Sequence, residues 1–357
     1  MLPSSAAPST PTAPQGPNGQ RVLFALGRQE KEAFFPLEPK STRDDVAFIF
    51  IHPPDKDGPR ENWAKTLREI APTVLVSCWQ TPSLPAGLWR EQAFPLKYVC
   101  HLAGSVGALV PRELLTDGLL VSNWGATIQH TVAEHALLLT LAALRNLPYW
   151  RTHDQAAHYW WRKKDLQTRT LRGRRVGLHG FGAVARELRE LLRPFGCVVS
   201  APSAGVPAQV YLEHDVTGFG TLEELFSNCE ILVECEALTP TSRGSVNESL
   251  LRQLPIGAVF VNVGRGAVVD EAALALVARQ RNLRVASDVV TAEPFSAECP
   301  LWALDDALIS PHIAGPTFDL YPQLGALALT NIERYFKGLP IPERVTLEAH
   351  DRATKDA

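Results

Sequence analysis

Arg265, Glu293 and His312 each follow a short apolar run in the second half of the chain: AVFVNVG, ASDVVTA and ALISP. An arginine can grip a carboxylate with parallel N–H donors. A histidine whose pKa lies near neutrality can give or take a proton. A carboxylate behind it orients the ring and favours its charged form. Together they suit proton-coupled chemistry on a small acid. Singly, each has a plainer reading: Arg265 as a surface ion pair, Glu293 as a solvated loop acid, His312 as a hydrogen-bonded residue at a strand end. Spacing alone does not choose between these.

A second kind of chemistry is written in VGLHGFGAVARELRELL. Gly180, Gly182 and Ala185 fit the pattern G-x-G-x-x-G/A, directly after an apolar run and opening a helical one. The first glycine permits a tight turn. The second lets the backbone approach a pyrophosphate seated on the helix N-terminus, and the small third residue lets helix and strand pack closely. This fingerprint calls for an acid at the end of the next strand, to hold the adenosine ribose. CVVSAPSAG has none; Ser203 stands there, with no Arg or Lys nearby in the segment. The choice between NAD and NADP therefore stays open.

Residues so far apart in sequence need a frame that gathers strand ends. RVLFAL, VAFIFI, TVLVSC, LKYVCH and LLVS read as buried strands, separated by stretches such as ENWAKTLREIA that read as helices. A second alternating series begins at RRVGLHG and continues through CVVSA, ILVEC, AVFVNV, LRVASDV and ALISP. Strand–helix alternation predicts parallel sheets covered by helices, whose strand ends open onto one crevice. Between the two series lies a helix from about Ile128 to Leu147, with Thr127 as its cap and Pro148 as its stop. The Trp-rich stretch AAHYWWRKKDLQTRTLRG after it reads as a connecting arm. No internal repeat at solenoid period is present.

At 357 residues and 45% hydrophobic composition, the chain suits two domains with packed cores. A net charge of −3 argues against a protein built to hold nucleic acid. The six cysteines lack C-x-x-C spacing and a nearby histidine cluster, which predicts reduced thiols and no metal site. The longest apolar stretch, HALLLTLAALRNLP, is too short and too interrupted to span a bilayer. Residues 1–20 are rich in Pro, Ser, Ala and Thr and read as a disordered tail, without the basic and apolar regions of a signal peptide. The expectation is a cytoplasmic protein with neither nucleic-acid nor membrane partners.

TVAEHALLLTLAALR, LRGRRVGLHGFGAVARELRELLRPFG, LTPTSRG, GAVFVNVGRGAVVDEAAL, SDVVTAEP and PLWALDDALISPHIAG occur in this order. With them the chain, from about Val74 to Gly338, resembles the D-isomer-specific 2-hydroxyacid dehydrogenases, the family of phosphoglycerate dehydrogenase, glyoxylate/hydroxypyruvate reductase and formate dehydrogenase. The resemblance implies an α/β protein of two Rossmann-like doubly wound domains with an active-site cleft between them. The substrate domain would comprise 21–122 plus 318–357, and the dinucleotide-binding domain 123–317. It implies NAD or NADP as cofactor, a small 2-hydroxy or 2-oxo acid as substrate, hydride transfer as the reaction, and a homodimer paired through the long helix and the arm.

The resemblance also distributes roles. Arg265 would bind the substrate carboxylate, His312 would exchange the proton, and Glu293 would raise the His312 pKa. Gly180, Gly182, Ala183 and Val184 would meet the pyrophosphate, with Ser203 at the ribose. Val263, Gly264 and Arg265 would pass beside the nicotinamide, with Asp288 on its carboxamide. His312, Ala314 and Gly315 would close the pocket floor. Gly104 and Ser105 of AGSVG would hold the substrate carboxylate. Trp79, Tyr159, Trp160, Trp161 and Trp302 are candidates for the pocket rim, with ordinary packing as the alternative. This chain departs from the family pattern at Gly107, where that loop usually ends in Asp, at Ser203, and at Cys235, where a polar residue is common. Glu234 and Glu236 beside Cys235 are also unusual. A non-catalytic, corepressor-like dinucleotide sensor on the same fold is the alternative function. A formate dehydrogenase is disfavoured, because that branch pairs its histidine with glutamine.

Overall fold

The computed structural model describes residues 19–56, 58–89, 91, 94–148, 166–202 and 206–352. Ser203, Tyr159, Trp160, Trp161 and most of the N-terminal tail lie outside the described residues. The chain divides into two compact units. One reaches to Trp124 and resumes over Tyr321–His350; the other is Gly125–Leu320.

The first unit is built on β1 (Gln20–Ala25), β2 (Val46–Ile51), β3 (Val74–Ser77), β4 (Tyr98–His101) and β5 (Leu120–Ser122), parallel throughout, in the order β2-β1-β3-β4-β5. Gln20, counted with the tail in the sequence reading, already pairs with Val46. Leu23, Leu75 and Val99 of the sheet pack with Trp63 and Leu67 of the helix Arg60–Ile70. Burying each such side chain stabilises the unit by about 1.5–3 kcal/mol.

The second unit has β6 (Arg175–His179), β7 (Val198–Pro202), β8 (Thr217–Phe219), β9 (Ile231–Glu234), β10 (Val259–Asn262), β11 (Arg284–Ser287) and β12 (Leu308–Ile309). All pairs are parallel and the order is β12-β11-β10-β9-β6-β7-β8. The order reverses between β6 and β9, which makes their C-terminal ends the switch point of a doubly wound sheet. Alternation along the strands feeds two cores, as a pleated strand requires. Leu232, Phe260 and Val285 face one, with Leu225 and Phe226 of the helix Leu222–Asn228 and Leu274 and Val277 of the helix Glu271–Arg281. Val233, Val261 and Ala286 face the other, with Leu188 of the helix Ala183–Leu192 and Leu139 of the helix Gln129–Leu144.

That last element corrects the sequence reading. The α-helix spans Gln129–Leu144, led in by a 3₁₀ turn over Gly125–Ile128. Ile128 stands at the N-cap, without a side-chain cap, so Thr127 does not serve. The helix ends ahead of Pro148, with Asn146 in the left-handed region at φ 54°. Most of its apolar surface is spent inside its own unit: Ala133, Ala136, Leu139, Ala143 and Leu144 are buried, while Leu138 stays exposed. Among the described residues, no helix is long and apolar enough to cross a membrane.

Candidate active site

The last residues of five neighbouring strands stand in register: His179 opposite Glu234, Glu234 opposite Asn262, Asn262 opposite Ser287, and Ser287 opposite Ile309. The second unit's remaining described candidates follow that row by only a few residues. This is why Gly180, Arg265, Asp288 and His312 can share one edge although the chain between them is long.

At the right of the row, His312 Nδ1 and Glu293 Oε2 are 2.6 Å apart. The pair is half-exposed, with side-chain exposures of 44% and 35%. The hydrogen bond to Glu293 is the main cause raising the His312 pKa above its usual range, against burial and the nearby Arg265 charge. Glu293 is itself oriented, since its Oε1 accepts the Val290 N–H at 3.3 Å. His312 has φ 52°, an uncommon conformation for a residue with a side chain. Its own N–H donates to the Asp288 carbonyl at 2.9 Å, which helps hold it there.

Asp288 does the rest of the holding. It is 1% exposed. Its Oδ1 accepts from the Ser310 hydroxyl at 2.6 Å and the Ile313 N–H at 2.9 Å, and its Oδ2 accepts the Ala314 N–H at 2.9 Å. His135 Nε2 sits 2.9 Å from the same Ser310 hydroxyl and 3.4 Å from Asp288. Burial opposes ionisation of Asp288, but these donors outweigh it and keep its pKa below the ordinary value. The carboxylate is thus turned inward onto the His312 loop, where the sequence reading had it reaching out to a carboxamide. Ala314 is buried, and a Cβ on Gly315 would stand 2.7 Å from Thr131 Oγ1, so this loop packs on the long helix.

Arg265 follows the turn Asn262–Gly264. Asn262 Oδ1 accepts the Gly264 N–H at 3.0 Å and its Nδ2 donates to the Arg265 carbonyl at 3.3 Å. Val263 N–H donates to the Glu234 carbonyl at 3.1 Å. Gly266 presses on the next loop so closely that a Cβ would fall 1.9 Å from the Val290 carbonyl carbon. Arg265 is half-buried, and one guanidinium nitrogen donates to the Gly264 carbonyl at 2.7 Å.

On the left of the row lies the glycine loop. Gly180 has φ 83°, and a Cβ there would come 2.7 Å from Glu236 Cα. A Cβ on Gly264 would stand 2.9 Å from the Glu236 carbonyl oxygen. The Glu236 backbone therefore lies against both glycines. Gly182 is different: nothing stands within 4 Å of where its Cβ would be. It caps the helix Ala183–Leu192, whose first residues Ala183 and Val184 offer unpaired N–H groups, while Ala185 is fully buried. An open, glycine-capped helix N-terminus fits a pyrophosphate. Close by, Arg186 Nε is buried and has no hydrogen-bond partner among the described residues.

Beneath the glycine loop sits a pair that the sequence reading missed. His179 Nδ1 is hydrogen-bonded to Glu234 Oε2, with side-chain exposures of 5% and 0%. Glu234 Oε1 accepts the Glu236 N–H at 2.7 Å. Glu234 was marked only as unusual in its segment; the strand register that sets His179 opposite it is what reveals the pair.

Gly104 and Ser105 belong to the first unit, in the loop after β4. The Gly104 carbonyl accepts from Asn123 Nδ2 at 2.5 Å, and a Cβ on Gly104 would stand 2.9 Å from the Trp124 indole nitrogen. Trp79, 43% exposed, packs on Trp124 and Tyr321 in the same unit. Trp302, in the second unit, packs on Phe295 and donates to the Ser296 carbonyl at 2.9 Å.

Known proteins resemble the chain in sequence and in fold. D-3-phosphoglycerate dehydrogenase of Mycobacterium bovis is 27% identical over 235 residues, covering 64% of this chain but only 43% of the relative's length. Glyoxylate reductase of Aeropyrum pernix is 28% identical over 270 residues, 72% of this chain and 78% of the relative. The solved structure of Rhodotorula graminis D-mandelate dehydrogenase superposes with a TM-score of 0.77 at 19% identity, over 92% of this chain and 98% of that one, a likeness of fold. Residues 137–314 match the family described as D-isomer specific 2-hydroxyacid dehydrogenase, NAD binding domain, and so take in the glycine loop, Arg265, Asp288, Glu293 and His312. The chain belongs to the D-isomer specific 2-hydroxyacid dehydrogenase family.

Proposed function

We propose that the chain is an NAD(P)-dependent D-2-hydroxyacid dehydrogenase that interconverts a small 2-hydroxy acid and its 2-oxo acid. The observation that carries this reading is the half-exposed His312–Glu293 pair, 2.6 Å apart, with the Arg265 charge beside it. When bound, the nicotinamide cofactor supplies or takes up the hydride. Everything else is positioning and electrostatics from the chain.

Glu293 accepts the Nδ1–H of His312, which leaves Nε2 as the nitrogen that exchanges a proton with substrate. In reduction Nε2–H protonates the oxygen on C2 as it becomes an alkoxide. In oxidation the neutral ring takes that proton back. Glu293 stabilises the charged ring formed in that step, and the raised pKa of His312 favours its acid form. Arg265 binds the substrate carboxylate and polarises the neighbouring carbonyl. Gly104 and Ser105 are our further candidates for the carboxylate. Gly180, Gly182, Ala183 and Val184 receive the pyrophosphate, and Val263 and Gly264 flank the nicotinamide. Asp288 keeps the His312 loop in place.

The test is loss of reduced-cofactor absorbance on mixing the protein with glyoxylate, hydroxypyruvate, pyruvate and larger 2-oxo acids, with NADH and with NADPH. Turnover of at least one is expected. Dinucleotide binding without turnover of any would leave a non-catalytic sensor. We also propose a homodimer, supported by Leu138, the apolar residue that the long helix leaves 56% exposed. A monomer mass by light scattering at micromolar concentration would remove that claim.

A further inference from the structure

The helix Ala183–Leu192 and the turn after it carry Arg186, Arg189 and Arg193, which look alike in sequence and differ in the fold. Arg189 is buried and paired with Asp215 at 2.9 Å, and Arg193 is paired with Glu190 at 2.8 Å. Arg186 has no carboxylate partner among the described residues. Its guanidinium lies over the ring of Phe181, 5.8 Å from the centroid, and its Nε is buried without an acceptor. A buried charged donor left unpaired is unfavourable, and an anion would relieve it.

The surroundings say which side of the glycine loop this cation serves. Phe181 stands between Gly180 and Gly182. Its ring stacks on Tyr211, centroids 5.4 Å apart and planes 13° from parallel. The Tyr211 hydroxyl donates to the carbonyl of Pro202, the last residue of β7. The Arg186 charge also reaches Tyr211, where it opposes the burial that raises the phenol pKa. Arg186, Phe181 and Tyr211 thus form one cluster against the C-terminal end of β7, where a doubly wound fold places the adenosine ribose. A guanidinium stacked on an aromatic face keeps its in-plane N–H groups free for a phosphate. An acid at the end of β7 would repel a phosphate on the ribose, and CVVSAPSAG carries none.

We propose that Arg186, braced on Phe181, recognises the 2′-phosphate of the cofactor and makes the chain favour the phosphorylated dinucleotide. This rests on the dinucleotide-binding reading above, and it supplies the cation that the β7 segment itself lacks.

The test is a binding measurement without turnover: titration of the full-length protein with NADPH and with NADH, followed by cofactor fluorescence. Wild type is expected to hold NADPH tighter by about tenfold or more, the usual scale of a hydrogen-bonded charge. Arg186→Gln should bring NADPH down to the NADH level and leave NADH where it was. Arg186→Lys should keep part of the preference, since it keeps the charge. Three outcomes overturn the proposal: equal binding of both cofactors by wild type, a preference that survives Arg186→Gln, or equal weakening of both cofactors in that variant. If neither cofactor binds wild type, the dinucleotide reading falls and takes this one with it. Equal binding accompanied by turnover sinks the Arg186 assignment alone.

Discussion

Two histidine–glutamate pairs of the second unit share their composition and differ in their setting. His312 and Glu293 stand on loops, 44% and 35% exposed. His179 and Glu234 stand at the ends of adjacent strands, 5% and 0% exposed. In each, the carboxylate raises the histidine pKa. At His312 the hydrogen bond is the largest influence. At His179 burial is the largest and pushes the other way, and the Glu234 charge and hydrogen bond overcome it. The inner pair also has its second carboxylate oxygen occupied, by the Glu236 N–H. It ties the end of β6 to the loop against which Gly180 and Gly264 lie. A pair that exchanges protons with substrate must leave a nitrogen within reach. One closed in by the fold, with both carboxylate oxygens engaged, is set to hold loops in place.

Removing each histidine should therefore fail in a different way. His312→Ala should lower kcat by about 10²–10⁴ on the best substrate while NADH or NADPH still binds and stability barely changes. Steady-state kinetics with parallel cofactor titration checks this, and wild-type kcat at neutral pH would contradict it.

Glu234→Ala should do the reverse. Breaking a buried pair strands a charge and costs about 3–5 kcal/mol, read as a lower urea midpoint. The double change His179→Val with Glu234→Leu removes both charges and should recover most of that loss, because an apolar pair of similar size often replaces a buried ion pair without penalty. If the double variant is as unstable as the single one, the two residues do not act as a pair.

A smaller effect is expected at the support of the outer pair. Ser310→Ala removes one donor to Asp288, which keeps the Ile313 and Ala314 N–H groups. A hydrogen bond to a charged group contributes about 1.5–3 kcal/mol, and only part of that support reaches the transition state, so kcat should fall by roughly threefold to tenfold with KM little changed. A loss as deep as that of His312→Ala would make Ser310 part of the chemistry instead of its support.

Much of this frame was legible as sequence because it rests on local pattern. Apolar runs marked β6, β7, β9, β10, β11 and β12, and the glycine spacing marked the loop after β6. Arg265, Glu293 and His312 were visible because the topology rule collects strand ends. What escaped depends on register and on tertiary partners. His179 in VGLHG reads as one polar residue in a strand until β9 is laid beside it. Arg186 reads as a solvated helix face until Arg189 and Arg193 are seen to own the nearby acids. Asp288 follows a strand just as Arg265 does, and no local signal tells that its oxygens turn inward. Thr127 could cap a helix by type, but the 3₁₀ turn moves the helix start past it. The short β8 passed unnoticed because TGF carries too little apolar pattern.

The outer pair makes a final prediction in pH. The folded-state pKa of His312 is raised by the bond to Glu293, so the stabilisation from this pair is full below the unfolded value of about 6.5 and is lost as pH rises through the folded value. Activity follows the same group. Reduction of a 2-oxo acid requires His312 to enter protonated, so its rate should hold through and somewhat above that unfolded value, then decline on the alkaline side. Oxidation should show the mirror dependence. Glu293→Gln keeps the size of the side chain but removes the charge and replaces a carboxylate acceptor by a weaker amide. The His312 pKa should then drop, since burial and the Arg265 charge, both of which lower it, are no longer opposed by a carboxylate partner. The alkaline limb of the reduction profile should move to lower pH, with a modest loss of rate on its acid side. Glu234→Gln, acting on the inner pair, should instead alter the pH dependence of unfolding and leave that limb in place. Profiles of kcat against pH for wild type and both variants decide the matter. A limb that stays put in Glu293→Gln, or moves in Glu234→Gln, would mean that the titrating group belongs to the other pair or to neither.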